Sequence, residues 1–249
     1  MFQRARKIDL PDSIDVPVDG ENVSVAVRRS ARARRYTLKI AQATGEPVLV
    51  IPAQGNLNRG IAFAQSQAGW LRERLKRIPG RVPFAEGHEI PLRGVPHVLR
   101  HTGTLRGAVR IGDPQRPEAL PEIRVAGDPA HMPRRLVDWL KAEARRDLEP
   151  AVMAHAEKLE VRPKRIAIRD QTTRWGSCST TGTLSFSWRL VLAPPVVLDY
   201  LAAHEVTHLV EMNHSRRFWR MLEEIAPHTG EAEAWLKRHG TSLFRYGPR

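Results

Sequence analysis

Between Leu198 and Trp219 the chain reads LDYLAAHEVTHLVEMNHSRRFW, and this stretch restricts the possible folds most tightly. His204 and His208 are four residues apart. On a helix of about 3.6 residues per turn both imidazoles leave one face, one turn apart, which is the separation two ligands of a zinc ion need. Glu205, rotated by about 100° from His204, reaches a water on that metal without being a ligand itself. His214, six residues beyond His208, completes three protein ligands and leaves a fourth position for water. An open position of that kind marks catalytic rather than structural zinc.

The flanking residues suit the motif. Pro194 and Pro195 are placed to start a helix, and Asp199 lies in its first turns, where negative charge complements the helix dipole. Leu198, Leu201, Val206 and Leu209 supply apolar surface for burial. Asn213 tolerates the left-handed backbone that ends a helix, and Ser215 can cap the next one, so His214 falls at a corner. Glu211 is a competing third ligand, three residues from His208 on the same helical face. His214 is favoured, because Glu211 would have to fold back along its own helix. Glu211 also stands where the metzincin pattern HExxHxxGxxH has its turn-forming Gly, which disfavours that reading.

In 249 residues there is ample sequence for a buried core, in one large domain or two small ones. Cys178 is the lone cysteine, which excludes an intramolecular disulfide framework. Residues 1–22 carry no continuous apolar segment, and no run of about 18 apolar residues occurs anywhere. A soluble, cytoplasmic protein without a membrane span is the expectation. The net charge of +13 is shared along the chain, +8 over residues 1–130 and +5 over 131–249. It favours an anionic partner, nucleic acid and nucleotides included, although an Arg-rich composition alone would give the same balance.

The order of elements predicts an α+β fold. After an amino-terminal extension, residues 1–22, the segment 23–130 reads as a mainly β part with one helix. From Val23 to Ile51, alternation in VSVAV and YTLKI and the run closed by Pro52 read as three antiparallel strands. Between the first two lies the densest basic cluster, Arg28, Arg29, Arg32, Arg34 and Arg35, either a polyanion contact or a solvated connection. Asn56 caps a helix that runs to Pro79. EIPLRG, HVLRH, AVRIG and EIRVA then read as short strands. Residues 131–249 form the second part. Met132 to Leu159 is one amphipathic helix with Pro150 as a candidate kink, and His155 on it has no ligand spacing. Strands follow at Arg165–Arg169 and up to Leu190.

RWGSCS at Arg174–Ser179, LSFSWRL at Leu184–Leu190, Ala193-Pro194 and YLAAHEVTHLVEMNHSRRFW at Tyr200–Trp219 resemble, in that order, the YgjP-like metallopeptidase family, related to the SprT-like zincins. RRSARARRYTLKI, VIPAQG, GWLRERL and the Gly before HEIPLRG extend the resemblance into the β part. It implies a zincin-like catalytic domain with long helices and a small sheet, Zn²⁺ held by His204, His208 and His214, and Glu205 as catalytic base. Arg174 is a candidate for holding an anionic substrate, and Tyr200 for supporting a ligand or an oxyanion. Trp175, Cys178, Phe218 and Trp219 read as packing residues. Three functions follow: a zinc hydrolase of metallopeptidase type acting on polypeptide, a nucleoside triphosphate pyrophosphatase of UTP type on the same site, and a nucleic-acid-binding protein with an incidental zinc.

Overall fold

The computed structural model describes residues 10–41, 45–76, 80–113, 116, 118–171 and 173–247. The chain divides into two compact units, Met1–Pro79 and Gly80–Arg249. Each builds its own core.

In the first unit, strands β1 (Ser13–Val18), β2 (Glu21–Ser30), β3 (Thr37–Ile40) and β4 (Pro47–Pro52) form one sheet in the order β1-β2-β4-β3. Asp19 and Gly20, both with positive φ, turn β1 into β2 as a tight hairpin. Alternation then places Val16, Val25, Val27, Leu49 and Ile51 on one face, where Ala64 and Leu71 of helices α1 (Leu57–Ser66) and α2 (Ala68–Lys76) cover them. The Asn56 side chain caps α1 by accepting from the Asn58 and Arg59 amides. Gly60 lets α1 approach the sheet, because a Cβ there would stand 3.2 Å from Ile51 Cδ1.

Three expectations are corrected in this unit. The three strands read from Val23 to Pro52 are not all antiparallel, since β2 and β4 pair in parallel while β3 joins β4 antiparallel. The single helix is two, closed at Gln67, whose N–H turns back to the Ala64 carbonyl at 3.1 Å. And residues 13–18, taken as part of an extension, are an edge strand of the sheet.

The second unit begins with β5 (Glu89–Leu92), β6 (Val95–His101), β7 (Arg110–Gly112) and β8 (Glu122–Val125), in the order β5-β6-β8-β7. Helix α3 (Met132–Lys158) follows and is continuous through Pro150. Its buried stripe, Leu136, Leu140, Ala144, Leu148, Val152 and Ala156, recurs every four residues. A second sheet, ordered β10-β11-β9, comprises β9 (Arg165–Arg169), β10 (Gly176–Cys178) and β11 (Thr183–Ser187). The chain leaves β11 at Ser187, not near Leu190, because Trp188–Leu192 coil into a buried 3-10 turn. Helices α4 (Pro195–Thr207), α5 (Arg216–Ile225) and α6 (Thr229–His239) complete the unit. Among the described residues no helix is long and apolar enough to cross a membrane.

One core serves this whole unit. Ile90, Leu99, Ile123 and Val125 of the first sheet join Leu140, Phe186, Trp188, Val206 and Phe218. A sheet so short has too little apolar surface to stand apart, and the compact units divide at 79/80, whereas the sequence reading divides the chain at 130/131, where the helical pattern begins. The turn of Arg93 and Gly94, both with positive φ, fixes the start of α4. Their amides donate to the Val191 and Leu192 carbonyls at 2.7 and 3.2 Å, while Arg93 bonds Asp147 and Glu143 of α3. Helix α4 is buried on most of its circumference, from Val197 to Thr207.

Candidate metal centre

His204 and Glu205 belong to the last turn of α4, and His208 is its cap residue, still helical at φ −65° and ψ −17°. The helix then tightens: the amides of Leu209 and Val210 turn to the carbonyls of Val206 and Thr207, three residues back. It thus ends well before Asn213, and the expectation that Glu211 shares its face is overturned. Glu211 contributes its backbone instead. His208 Nδ1 donates to the Glu211 carbonyl at 3.0 Å, which leaves Nε2 with its lone pair.

The early end of α4 also brings His214 back. Ser215 caps α5 by accepting from the Phe218 amide at 3.2 Å, so the preceding residue turns towards the end of α4. His214 Nε2 lies 3.1 Å from His204 Nε2, and one nitrogen from each of His204, His208 and His214 can be chosen with all three within 4.8 Å of one another. Two nitrogens each about 2.1 Å from a tetrahedral ion would stand roughly 3.4 Å apart. The donor set therefore fits a divalent metal. Among the described residues this is the one cluster of three His, Cys, Asp or Glu side chains with that spacing. Phe218, fully buried, is its floor, with a ring centroid 4.5–4.9 Å from all three imidazoles.

Electrostatics favour the same reading. Burial, and then the neighbouring His208 and His214, push His204 down to about 3, and burial lowers His208. Neutral imidazoles are the form a metal binds. Glu205 is 4% exposed, its Oε2 has no hydrogen-bond partner among the described residues, and burial pushes its carboxyl up to about 8 against the opposing charge of Arg174. A buried carboxyl oxygen without a partner costs free energy unless a ligand or metal at the site compensates.

The RWGSC segment forms the wall beside it. Gly176 of β10 lies directly on Glu205, where a Cβ would stand 2.7 Å from Glu205 Cγ. Trp175 stacks on Phe244 at 4.8 Å, and Arg174 is exposed. The Cys178 thiol is raised to about 11 by burial and by Glu205, so it stays protonated, and it is not part of the three-residue cluster. His155, as its spacing suggested, is elsewhere: its Nε2 meets Asp199 at 2.9 Å.

One of two further partners was not visible in the sequence. The Tyr200 hydroxyl donates to Glu233 Oε1 of α6 at 2.9 Å and lies 3.4 Å from His204 Nδ1. Tyr200 could be suspected from its i−4 spacing to His204. Glu233 could not, because its partner is 33 residues away and only the packing of α6 on α4 brings them together.

A helix-borne pair of imidazoles and a third from the next turn could hold a metal ion, and the family to which the chain is matched makes it a metal-dependent hydrolase of the peptidase type. Residues 34–239 match the YgjP-like metallopeptidase domain, and the chain belongs to that family. No curated protein matches it. A solved structure, the crystal structure of the metallopeptidase zymogen of Pyrococcus abyssi abylysin, is 23% identical over 41% of this chain and 99% of that one, with a TM-score of 0.34.

Proposed function

We propose that the protein is a zinc-dependent peptidase in which His204, His208 and His214 hold the ion and Glu205 is the general base. The observation that carries this reading is the convergence of three ring nitrogens within 4.8 Å beside a buried carboxylate that has an unpartnered oxygen. Zinc on three neutral imidazoles supplies a Lewis acid and lowers the pKa of water at its open position to about 7. Glu205 accepts the proton of the attacking water and returns it to the leaving nitrogen. Gly176 leaves room for the Glu205 side chain, since a Cβ there would stand 2.7 Å from Glu205 Cγ. Among the described residues strand β10 pairs only with β11, so its other edge offers backbone groups to an extended polypeptide. The free Cys178 thiol suits a cytoplasmic location.

A second reading, hydrolysis of a nucleoside triphosphate at the same centre, is favoured by one feature. Arg174 is exposed, close enough to act on Glu205, and its guanidinium suits a phosphate. Parallel assays with an unstructured polypeptide and a nucleoside triphosphate panel separate the two. Cleavage of polypeptide alone is the expected result, and pyrophosphate release without peptide cleavage would reverse the choice.

The Tyr200 and Glu233 contacts give a further expectation. Glu233 accepts the phenol proton, so the phenol oxygen is left to accept from His204 Nδ1–H, which presents Nε2 to the ion. Tyr200→Phe and Glu233→Leu should each weaken zinc affinity by roughly 10–100-fold, read by competition with a chelator. Unchanged affinity in both variants would show that His204 is oriented without them.

A further inference from the structure

The amino-terminal unit carries a basic surface of its own. Between Glu21 and Glu46 the chain has no acidic residue, and Arg28, Arg29, Arg32, Arg34, Arg35 and Lys39 fall inside that interval. Its structure is not that of a loose basic loop. At one end the Arg29 guanidinium donates to the carbonyls of Pro52, Ala53 and Gly55 at 3.2, 2.7 and 3.0 Å. At the other, the Tyr36 hydroxyl accepts from the Asn56 amide at 2.8 Å and donates to its carbonyl at 3.0 Å. Both ends of the β2–β3 connection are thereby tied to the same β4–α1 turn.

What the loop of this clamp presents is positive charge, with no acidic residue of its own, and Asp15, level with Ser24, is the carboxylate that strand register puts on the adjoining sheet face. Arg72 pairs with Asp19 and Glu73, and Lys76 with Glu73. Arg28, Arg32, Arg34, Arg35 and Lys39 are exposed and take no part in these pairs. Strand register extends the patch onto the sheet. Arg28 is level with Val50 and Thr37, and Ala26 with Val48 and Lys39, so Arg28 and Lys39 share the face opposite Val27, Leu49 and Leu38. They stand two strands apart and two residues out of level, roughly 12 Å.

We propose that this loop and sheet face bind the phosphate backbone of duplex nucleic acid without regard to base sequence. Guanidinium groups suit phosphate because they bond it in bidentate fashion. A protein partner would need apolar anchors at the centre of the contact, and the exposed large apolar residue of this unit among the described residues is Trp70 of α2, outside the patch. A membrane surface would likewise need apolar side chains to insert, where this loop has only Ala31 and Ala33. A base-stacking platform is missing too, since the Tyr36 ring packs against Phe63 and its hydroxyl is bonded. The chemistry left is charge against phosphate.

The test uses the full chain and needs no hydrolysis, so it is independent of the peptidase reading. Binding of fluorescein-labelled DNA and RNA duplexes of arbitrary sequence is followed by anisotropy between about 50 and 200 mM salt. The wild type is expected to bind at least one with a steep salt dependence. The triple variant Arg32→Ala, Arg34→Ala, Arg35→Ala should lose at least about 10-fold in affinity at the lower salt and about 2–3 from the slope of log K against log salt. Among the described residues these side chains have no hydrogen-bond or ion-pair partner, so its melting temperature should match the wild type. A control of equal charge, Arg134→Ala, Arg145→Ala, Arg162→Ala, should bind like the wild type. Absence of binding to both duplexes, equal losses in the control, or displacement by polyglutamate at equal charge would each overturn the proposal.

Discussion

Glu205→Gln should keep its zinc and lose peptide hydrolysis by roughly 10²–10⁴-fold, the share a positioned general base contributes. Glutamine matches the shape of the carboxylate, so the close contact with Gly176 survives, but it cannot take a proton from water. Metal content and kcat measured on the same sample separate chemistry from binding. A zinc-loaded variant that turned over at the wild-type rate would remove Glu205 from its role. The metal-free proteins give a second readout. Burial raises Glu205 from 4.5 to about 8. Between those values the folded chain holds a proton the unfolded chain has lost, so stability falls as pH rises through the window. Gln does not ionise, and the metal-free variant should melt above the metal-free wild type at about pH 8 and together with it near pH 4. His204, pushed from 6.5 down to about 3, acts in the opposite sense, costing stability as pH falls, and does so in both proteins.

Gly176→Ala is the smallest substitution with a comparable effect. The added methyl would stand 2.7 Å from Glu205 Cγ and 2.8 Å from its Cδ, inside van der Waals contact. Neither side has room to retreat. Gly176 is paired with Phe186 of β11, which is fully buried, and Glu205 sits on the most enclosed helix of the unit. The strain should lower stability by about 1–3 kcal/mol, measured by urea unfolding. Displacing the carboxylate by even about 1 Å should reduce kcat by about 10²-fold, with the three imidazoles untouched and zinc retained. Wild-type turnover in Gly176→Ala would mean that the carboxylate acts from another position.

The parts legible in the sequence are those in which neighbours along the chain are also neighbours in space. The i, i+4 pair of His204 and His208, the four-residue stripe of α3 and the Ser215 cap are all local, and the residue pattern alone specifies each. Fold class and the strands β5 to β9 were readable for the same reason. Partner choice was not. That β2 lies beside β4 and parallel to it depends on β3 crossing to the far edge, and alternation within each strand is the same for either arrangement. Helix α4 hid its own end: buried nearly all round, it has no polar face whose loss would mark the last turn, and the residues 209–213 continue its apolar pattern while their backbone has already left the helix. Glu211 was therefore weighed as a side-chain ligand, whereas the group that matters there is its carbonyl. Glu233 reaches the site only because α6 folds back onto α4.

Zinc-dependent peptide hydrolysis before and after chelation is the most direct test of the centre. Protein stripped of metal should be inactive, should recover full activity at about one equivalent of zinc per chain, and should fail to recover when His214 is replaced by Ala. Hydrolysis that survived stripping, or a His214→Ala protein that bound zinc and cleaved like the wild type, would contradict the assignment of three imidazoles to one catalytic ion.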